Sequence, residues 1–396
     1  MRRVKGCSSC EIVEILIGET ANQDYFDFMS KPSLSKNPAC SYPEYLQLEK
    51  LLSCQNLESV GAGRPAHDEM LFIIIHQLYE LWFKQILHDL DSVMKIFSEK
   101  ELDDSKLGIC SQRLERITKI QSLMIAQIEV LETMTPMDFL DFRDLLFPAS
   151  GFQSFQFRLV ENKLGLKRSQ RLPYDGNPYV ARLSAEEAVL AQQSENQPTL
   201  FQHLQSWLER TPFVQTPHFK FWDAYRVAVD EMLNNDEATI KNNAHLNDQA
   251  KIKQLDNLKS IRESFELLLN EEKFPKLKEK LQWSLSFKAT SASLFIFLYR
   301  DEPALQLPFK LLTLVTSIDE NFTAWRQRHT QMAMRMIGTK IGTGGSSGAE
   351  YLQASTLQHK VFQDFSRLST FLIPRRSLPE LPADIKASLK FHYAAV

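Results

Sequence analysis

The chain has 396 residues, of which 43% are hydrophobic and 24% are charged, and its formal net charge at pH 7 is −3. This composition is that of a globular protein with enough apolar residues for a large core, and it excludes a mainly disordered chain. No basic cluster points to nucleic acid, so we expect no nucleic-acid partner.

The first 40 residues are predicted to be an irregular segment. Cys7 and Cys10 form a C-x-x-C pair without a second pair or a following histidine, which matches neither a zinc ribbon nor a c-type haem attachment. Five cysteines in all favour a reducing compartment over a disulfide framework. The apolar part of this segment is short and contains Glu11 and Glu14, so it is a poor signal peptide. We expect a cytoplasmic protein without a membrane partner.

Helical periodicity begins after this segment. Residues 43–56 predict a short helix, and residues 67–98 predict a long helix that opens with Asp68 and Glu69, which suit a helix N-terminus. Apolar residues at spacings of three and four predict further helices over 106–133, 136–147 and 152–165.

Residues 166–283 are more polar and are predicted to form a helical excursion from the main body, with charged helices over 230–283. Apolar helices follow over 284–298, 308–337 and 350–370, and Gly338 ends the second of them. No strand alternation is visible. We therefore predict an all-α fold with one domain over 41–376 and a C-terminal tail over 377–396.

Two histidines lie in aromatic helical stretches. Phe72, His76 and Phe83 share one helix face, and so do Trp325 and His329, because residues three, four and seven apart face the same way. A flat cofactor between two such helices, with one histidine as axial ligand, would use both of them. Each histidine could instead be a core residue that bonds to a carbonyl group.

Arg143 and the glycine-rich run GTGGSSG (342–348) are candidates for ligand binding. A guanidinium group grips a carboxylate through two hydrogen bonds, and Phe139, four residues earlier, could cover a ring of the same ligand. The alternative for Arg143 is a surface ion pair with Asp138 or Asp144. The run lacks the GK[ST] of a P-loop, so it is either a loop that closes over an anionic or zwitterionic ligand or a plain mobile loop.

Several long segments, in this order, resemble the tryptophan 2,3-dioxygenase family, and an animal-type member in particular. They are HDEMLFIIIHQLYELWFKQIL (67–87), LETMTPMDFLDFRDLLFPASGFQSFQFRLVENKLG (131–165), WLERTP (207–212), YRDEP (299–303) and HTQMAMRMIGTKIGTGGSSG (329–348). SYPEYLQLEKLL (41–52) and LSTFLIPR (368–375) fit as well.

The resemblance implies an all-α, helical bundle-like core with haem b between its helices, one haem per subunit, in a homotetramer. The implied reaction inserts both atoms of O₂ across the indole C2–C3 bond of L-tryptophan and gives N-formylkynurenine. This is the first step of tryptophan catabolism by the kynurenine route.

The family's site residues carry over by position. His329 matches the proximal ligand of the haem iron, and His76 matches the distal histidine, which contacts the indole N–H and positions it rather than acting as an obligatory base. Arg143 matches the residue that binds the substrate carboxylate, and Thr343 matches a contact to the substrate ammonium and carboxylate. The other matches are Phe72 and Phe139 as pocket walls, Trp325, Ser150 and Gly344 around the haem, and Tyr42 and Tyr45 in an N-terminal segment that reaches a neighbouring subunit's site.

Three positions depart from the family pattern, namely Leu78, Phe147 and Ala349. Phe147 and Ala349 motivate one alternative, a haem-binding sensor that keeps the pocket without turnover. A further alternative is a helical scaffold in which both histidines are ordinary core residues.

Overall fold

The computed structural model describes residues 40–172, 177–212, 214–216, 218–338, 340 and 348–390. Over these residues the chain is almost entirely helical, which confirms the all-α prediction. The exception is a short antiparallel pair of strands, β1 (Gln215–Thr216) and β2 (Phe219–Lys220). In the described part of the chain, no helix combines the length and the apolar character needed to cross a membrane.

The helices follow one another in chain order. Those of the first half are α1 (Tyr42–Leu46), α2 (Leu48–Leu52), α3 (Glu58–Gly61), α4 (Glu69–Phe97), α5 (Asp104–Leu131), α6 (Pro136–Leu140), α7 (Phe155–Leu164), α8 (Ala185–Glu195) and α9 (Leu200–Leu208). Those of the second half are α10 (Phe221–Asn242), α11 (Asp248–Leu268), α12 (Phe274–Leu281), α13 (Phe287–Leu298), α14 (Pro303–Ile337), α15 (Gly348–Gln358), α16 (Gln363–Arg367) and α17 (Ala383–Ser388).

Three long helices form the centre of the molecule. Helix α5 packs along both α4 and α14, and each helix contributes fully buried aliphatic side chains such as Leu90, Leu114 and Val315. Burying a side chain of this size stabilises the fold by about 1.5–3 kcal/mol, so the central helices account for much of the folding energy. The Gln121 side-chain amide of α5 donates to the Ile318 carbonyl of α14 at 3.0 Å and fixes the two helices against each other.

The described residues of the region 166–283 are mostly helical apart from β1 and β2, and α10 and α11 each have one buried face. Phe221, Tyr225 and Phe265 of α10 and α11 are buried, and the Tyr225 hydroxyl donates to the Phe371 carbonyl near the C-terminal end of the chain. The charged residues of these helices lie on the opposite face, which is exposed. The polar composition of this region therefore reflects its exposed helix faces. The buried apolar faces are not apparent from composition alone.

Several predicted helix boundaries were wrong. The helix predicted over 43–56 is two short helices, α1 and α2, and the one predicted over 350–370 is interrupted between α15 and α16. Helix α14 begins at Pro303 and continues through Pro308, whereas we had predicted a start at residue 308. Proline suits the first helical position, and Pro308 is accepted five residues later, where it is buried. The helix predicted over 136–147 ends at Leu140, and a separate 3₁₀ turn, Arg143–Leu146, follows it. A residue before proline avoids the α-helical region, which is consistent with the break before Pro148.

Candidate active site

Helix α4 places four aromatic side chains on one face. Phe72 and His76 are half-buried, and Tyr79 and Phe83 are buried. The spacing of four, three and four residues keeps them on the side of α4 that faces the protein interior. The ring centroids of Phe72 and His76 lie 4.1 Å apart, so the Phe72 ring covers one face of the imidazole.

The tautomer of His76 follows from its backbone contact. Its Nδ1 lies 2.7 Å from the Phe72 carbonyl oxygen, and because a carbonyl only accepts, Nδ1 carries the proton and donates it. Burial lowers the pKa of His76 below its ordinary value of 6.5, and the Phe72 carbonyl and Glu80 oppose this shift. The ring is therefore neutral at pH 7, and its Nε2 has a lone pair that can accept a hydrogen bond.

His329 lies on helix α14 and is half-buried. Burial, and then the positive charge that His76 would carry, lower the pKa of His329 to about 4. Tyr79 and Phe83 of α4 both contact the Trp325 ring, which lies against His329, so aromatic contacts connect the helix of His76 to His329. Helix periodicity alone did not predict this connection. Among the described residues, neither ring nitrogen of His329 has a hydrogen-bond partner, so a neutral His329 is available as a metal ligand.

Aromatic rings enclose each histidine. On the His76 side, Phe72, Phe139 and Phe142 contact one another with centroid distances of 5.4–5.7 Å. On the other side, the Trp325 ring stacks on His329 at 5.9 Å and 17°. Trp325 in turn contacts three rings of the core, those of Tyr79, Phe83 and Phe157. The structure thus brings both histidines into one aromatic region.

Phe142 is a wall residue that sequence reasoning missed. It is fully buried and lies between Phe72 and Phe139. The signal was present, because Phe142 follows Phe139 by three residues, a spacing that puts both on one face of the helix predicted over 136–147.

Arg143 opens the 3₁₀ turn next to Phe142 and is half-buried. The two carboxylates that a surface ion pair would use have other partners. Asp144 pairs with Arg64, and Asp138 accepts from the backbone N–H and the hydroxyl of Thr135 at the start of α6. Asp138 and Asp144 therefore each have a partner other than Arg143.

The remaining predicted site residues lie apart or outside the described chain. Tyr42 and Tyr45 of α1 are 72% and 76% exposed. Ser150 is half-buried and caps the 3₁₀ turn Gly151–Gln153, where its hydroxyl accepts from the Phe152 N–H. Thr343 and Gly344 fall outside the described residues.

The residues present fit a haem. Its iron needs one protein ligand, and a neutral His329 provides it. The Trp325 ring stacks on His329 and adds a flat aromatic surface beside this nitrogen donor, which suits the flat apolar face of a porphyrin. No three His, Cys, Asp or Glu side chains of the described residues come together as a metal site.

A family model and several relatives of this chain carry the same description. The family model described as tryptophan 2,3-dioxygenase matches residues 29–372. The tryptophan 2,3-dioxygenase of Bdellovibrio bacteriovorus is 51% identical over 358 residues, which cover 90% of this chain and 100% of that protein. That of Dictyostelium discoideum is 45% identical over 89% of this chain and 88% of its own length. Tryptophan 2,3-dioxygenase B of Danio rerio is 44% identical, with coverage of 89% and 86%. With this extent of similarity, and with both histidines in one aromatic site, the chain belongs to the tryptophan 2,3-dioxygenase family.

Proposed function

We propose that this chain is a haem-dependent dioxygenase that inserts both atoms of O₂ across the indole C2–C3 bond of L-tryptophan, giving N-formylkynurenine. The observation that carries the proposal is the aromatic cluster that connects α4, the helix of His76, to His329 on α14 through Trp325, in a chain of this family. Helix α14 contributes His329 to the cofactor side of the site, and helix α4 contributes His76 to the substrate side.

His329 holds the iron of haem b on the cofactor side, with one haem per subunit. Trp325, Ser150 and Gly344 surround the ring. When bound, haem supplies the iron centre that binds and activates O₂. The stacking of Trp325 on His329 restricts rotation of the imidazole, which would hold its ring nitrogen in place to bind the iron.

The substrate side binds L-tryptophan through both of its ends. Arg143 holds the carboxylate through a charge-assisted pair, and Thr343 contacts the ammonium and carboxylate groups. Phe72 and Phe139, whose ring centroids are 5.7 Å apart, form the wall against which the indole ring lies. Together these contacts would fix the orientation of the indole ring in the site.

His76 accepts the indole N–H at its Nε2. Because its Nδ1 already donates to the Phe72 carbonyl, the ring can only accept at Nε2 while it stays neutral. This contact orients and polarises the indole without requiring that His76 remove the proton. The surrounding phenylalanine rings exclude water from the site.

The chain acts as a cytoplasmic homotetramer in this proposal. Tyr42 and Tyr45 are aromatic and largely exposed within a single chain, as expected of residues that complete the site of a neighbouring subunit. Size measurement of Tyr42→Ala and Tyr45→Ala variants, together with their tryptophan affinity, tests this assignment. Wild-type affinity in an intact tetramer would contradict it.

Turnover tests the proposed function. Purified protein with ferrous haem, O₂ and L-tryptophan should produce N-formylkynurenine, followed by its absorbance. The absence of product from a haem-replete sample would contradict the proposal, and a tryptophan-dependent shift of the haem spectrum without product would favour a sensor. A chain that bound no haem at all would favour a helical scaffold.

A further inference from the structure

A buried charge cluster lies one helical turn before His329. We name it the Glu161 cluster, and it consists of Glu161, Arg158, Arg171, Arg326 and His359. Three guanidinium groups surround the Glu161 carboxylate at N–O distances of 2.6–2.9 Å. All five side chains are at most 7% exposed. Nothing in the reaction proposed above uses them.

The electrostatics of the cluster keep its charges in place. Burial alone would raise the pKa of the Glu161 carboxyl, but the guanidinium groups hold that pKa well below its usual range. Glu161 is therefore ionised, and it neutralises part of the surrounding positive charge. Ion pairs at such depth are often no more stabilising than apolar side chains of the same size, so a specific geometry is a better reason for keeping them.

Arg326 connects the cluster to the His329 helix. Its Nη2 donates to Glu161 at 2.9 Å, and its Nη1 donates to the His359 carbonyl at 3.1 Å. One guanidinium group thus ties α14 to α7 and to the segment after α15. The Thr330 hydroxyl donates to the Arg326 carbonyl at 2.8 Å, which fixes the backbone of the turn that contains His329.

A second route runs through aromatic rings. The Arg326 guanidinium lies 5.7 Å from the centroid of the Phe157 ring. Phe157 contacts Trp325 at 5.4 Å, and Trp325 stacks on His329. Arg326 is therefore connected to His329 in two ways. One connection is the backbone of α14, and the other is the Trp325 ring that lies against the imidazole.

We propose that Arg326, anchored by Glu161, is a positioning residue that sets the orientation of the His329 imidazole toward the haem iron. This inference rests on the proposed function, because it requires that His329 bind the iron. Residues that orient a metal's ligand without touching the metal affect metal affinity or activity by about 10–100-fold when they are replaced.

The test compares two Arg-to-Lys variants in the same cluster. Arg326→Lys keeps the charge but cannot bridge Glu161 and the His359 carbonyl as the two guanidinium nitrogens do. Arg171→Lys is the matched control, because Arg171 pairs with the same Glu161 carboxylate but does not lie on α14. Both variants are expected to lose a similar amount of thermal stability, so stability alone cannot separate them.

The readouts are the rate of haem transfer to excess apomyoglobin and the Fe–His stretching band of the ferrous protein. Arg326→Lys should accelerate haem transfer by about tenfold or more and shift the band, whereas Arg171→Lys should stay within about twofold of wild type. Thr330→Val leaves the cluster intact and should change both readouts in the same direction by a smaller factor. It replaces Arg326→Lys as the test variant if Arg326→Lys does not fold.

Equal effects of Arg326→Lys and Arg171→Lys would overturn the inference, and so would wild-type haem transfer and an unshifted band in Arg326→Lys. Those outcomes leave the proposed function intact, because the wild-type protein still binds haem. A wild-type chain that binds no haem would instead overturn the proposed function, and the inference with it.

Discussion

The tautomer of His76 makes a specific prediction about the indole N–H. Because the Phe72 carbonyl lies 2.7 Å from Nδ1, only Nε2 is free to interact with the substrate, and it can only accept. An L-tryptophan analogue in which oxygen replaces the indole nitrogen keeps the shape but presents no donor. The wild-type protein should therefore prefer tryptophan over this analogue.

The size of the preference follows from the type of bond. A hydrogen bond between neutral partners contributes about 0.5–1.5 kcal/mol net, which corresponds to a ratio of dissociation constants of about 2–13. His76→Ala should reduce this ratio toward one. Arg143→Ala is the matched control, because it weakens the binding of both compounds and leaves the ratio unchanged.

Equilibrium titration of the haem-loaded protein without O₂, followed by the haem spectrum, measures both affinities without turnover. An undiminished preference for tryptophan in His76→Ala would refute the assignment of Nε2 as the acceptor. A loss of the preference in Arg143→Ala would refute the separation of the two binding contacts.

Three other features of the chain can be tested by substitution: Arg143, the Phe142 ring and the buried His359. Arg143→Ala should lower kcat/KM for L-tryptophan by about 13–160-fold, the equivalent of a charge-assisted bond of about 1.5–3 kcal/mol, and an unchanged kcat/KM would show that the carboxylate is bound elsewhere. Phe142→Ala should lower the free energy of unfolding by about 3–5 kcal/mol in urea titrations because the ring is fully buried, whereas Phe147→Ala, at a side chain 69% exposed, should change it by no more than about 0.5 kcal/mol. Similar losses in the two variants would contradict the packing described. Burial lowers the pKa of His359 below its ordinary value of 6.5, against the opposing effect of Glu161, so the folded state favours the neutral ring. Its contribution to stability is complete above pH 6.5 and is lost as the pH falls from 6.5 toward the lower folded-state pKa. Urea unfolding at pH 7.5 and 5.5 should show a smaller acid-induced loss in His359→Asn than in wild type, and an equal loss would remove His359 as a contributor.

Periodicity predicted the central helices well. The ranges 67–98 and 106–133 became Glu69–Phe97 and Asp104–Leu131. Both helices have one apolar face packed in the core and one polar face, which is the arrangement that produces a clear repeat. Helix α14 begins at Pro303, five residues before the predicted start, and proline is well suited to a first helical turn.

The Glu161 cluster could not be predicted from the sequence. Arg158 and Glu161 are three residues apart on α7, where the same pattern is typical of an exposed ion pair. Arg326 joins them from 165 residues away, and only tertiary packing buries all three. Charged residues on an otherwise apolar helix face are the one signal that could have indicated it.

The sequence predicted some features of the site and not others. Helix periodicity placed each histidine among aromatic residues, but the aromatic connection between α4 and His329 depends on how α4 and α14 pack. The division into a cofactor side and a substrate side came from the family resemblance. The described geometry adds the His76 tautomer and the stacking of Trp325 on His329.

The assignment of the two histidines to opposite sides is the central claim, and resonance Raman spectroscopy of the ferrous haem-loaded protein tests it most directly. Wild type and His76→Ala should show an Fe–His stretching band, and His329→Ala should lose it. A band that disappears in His76→Ala and persists in His329→Ala would contradict the assignment.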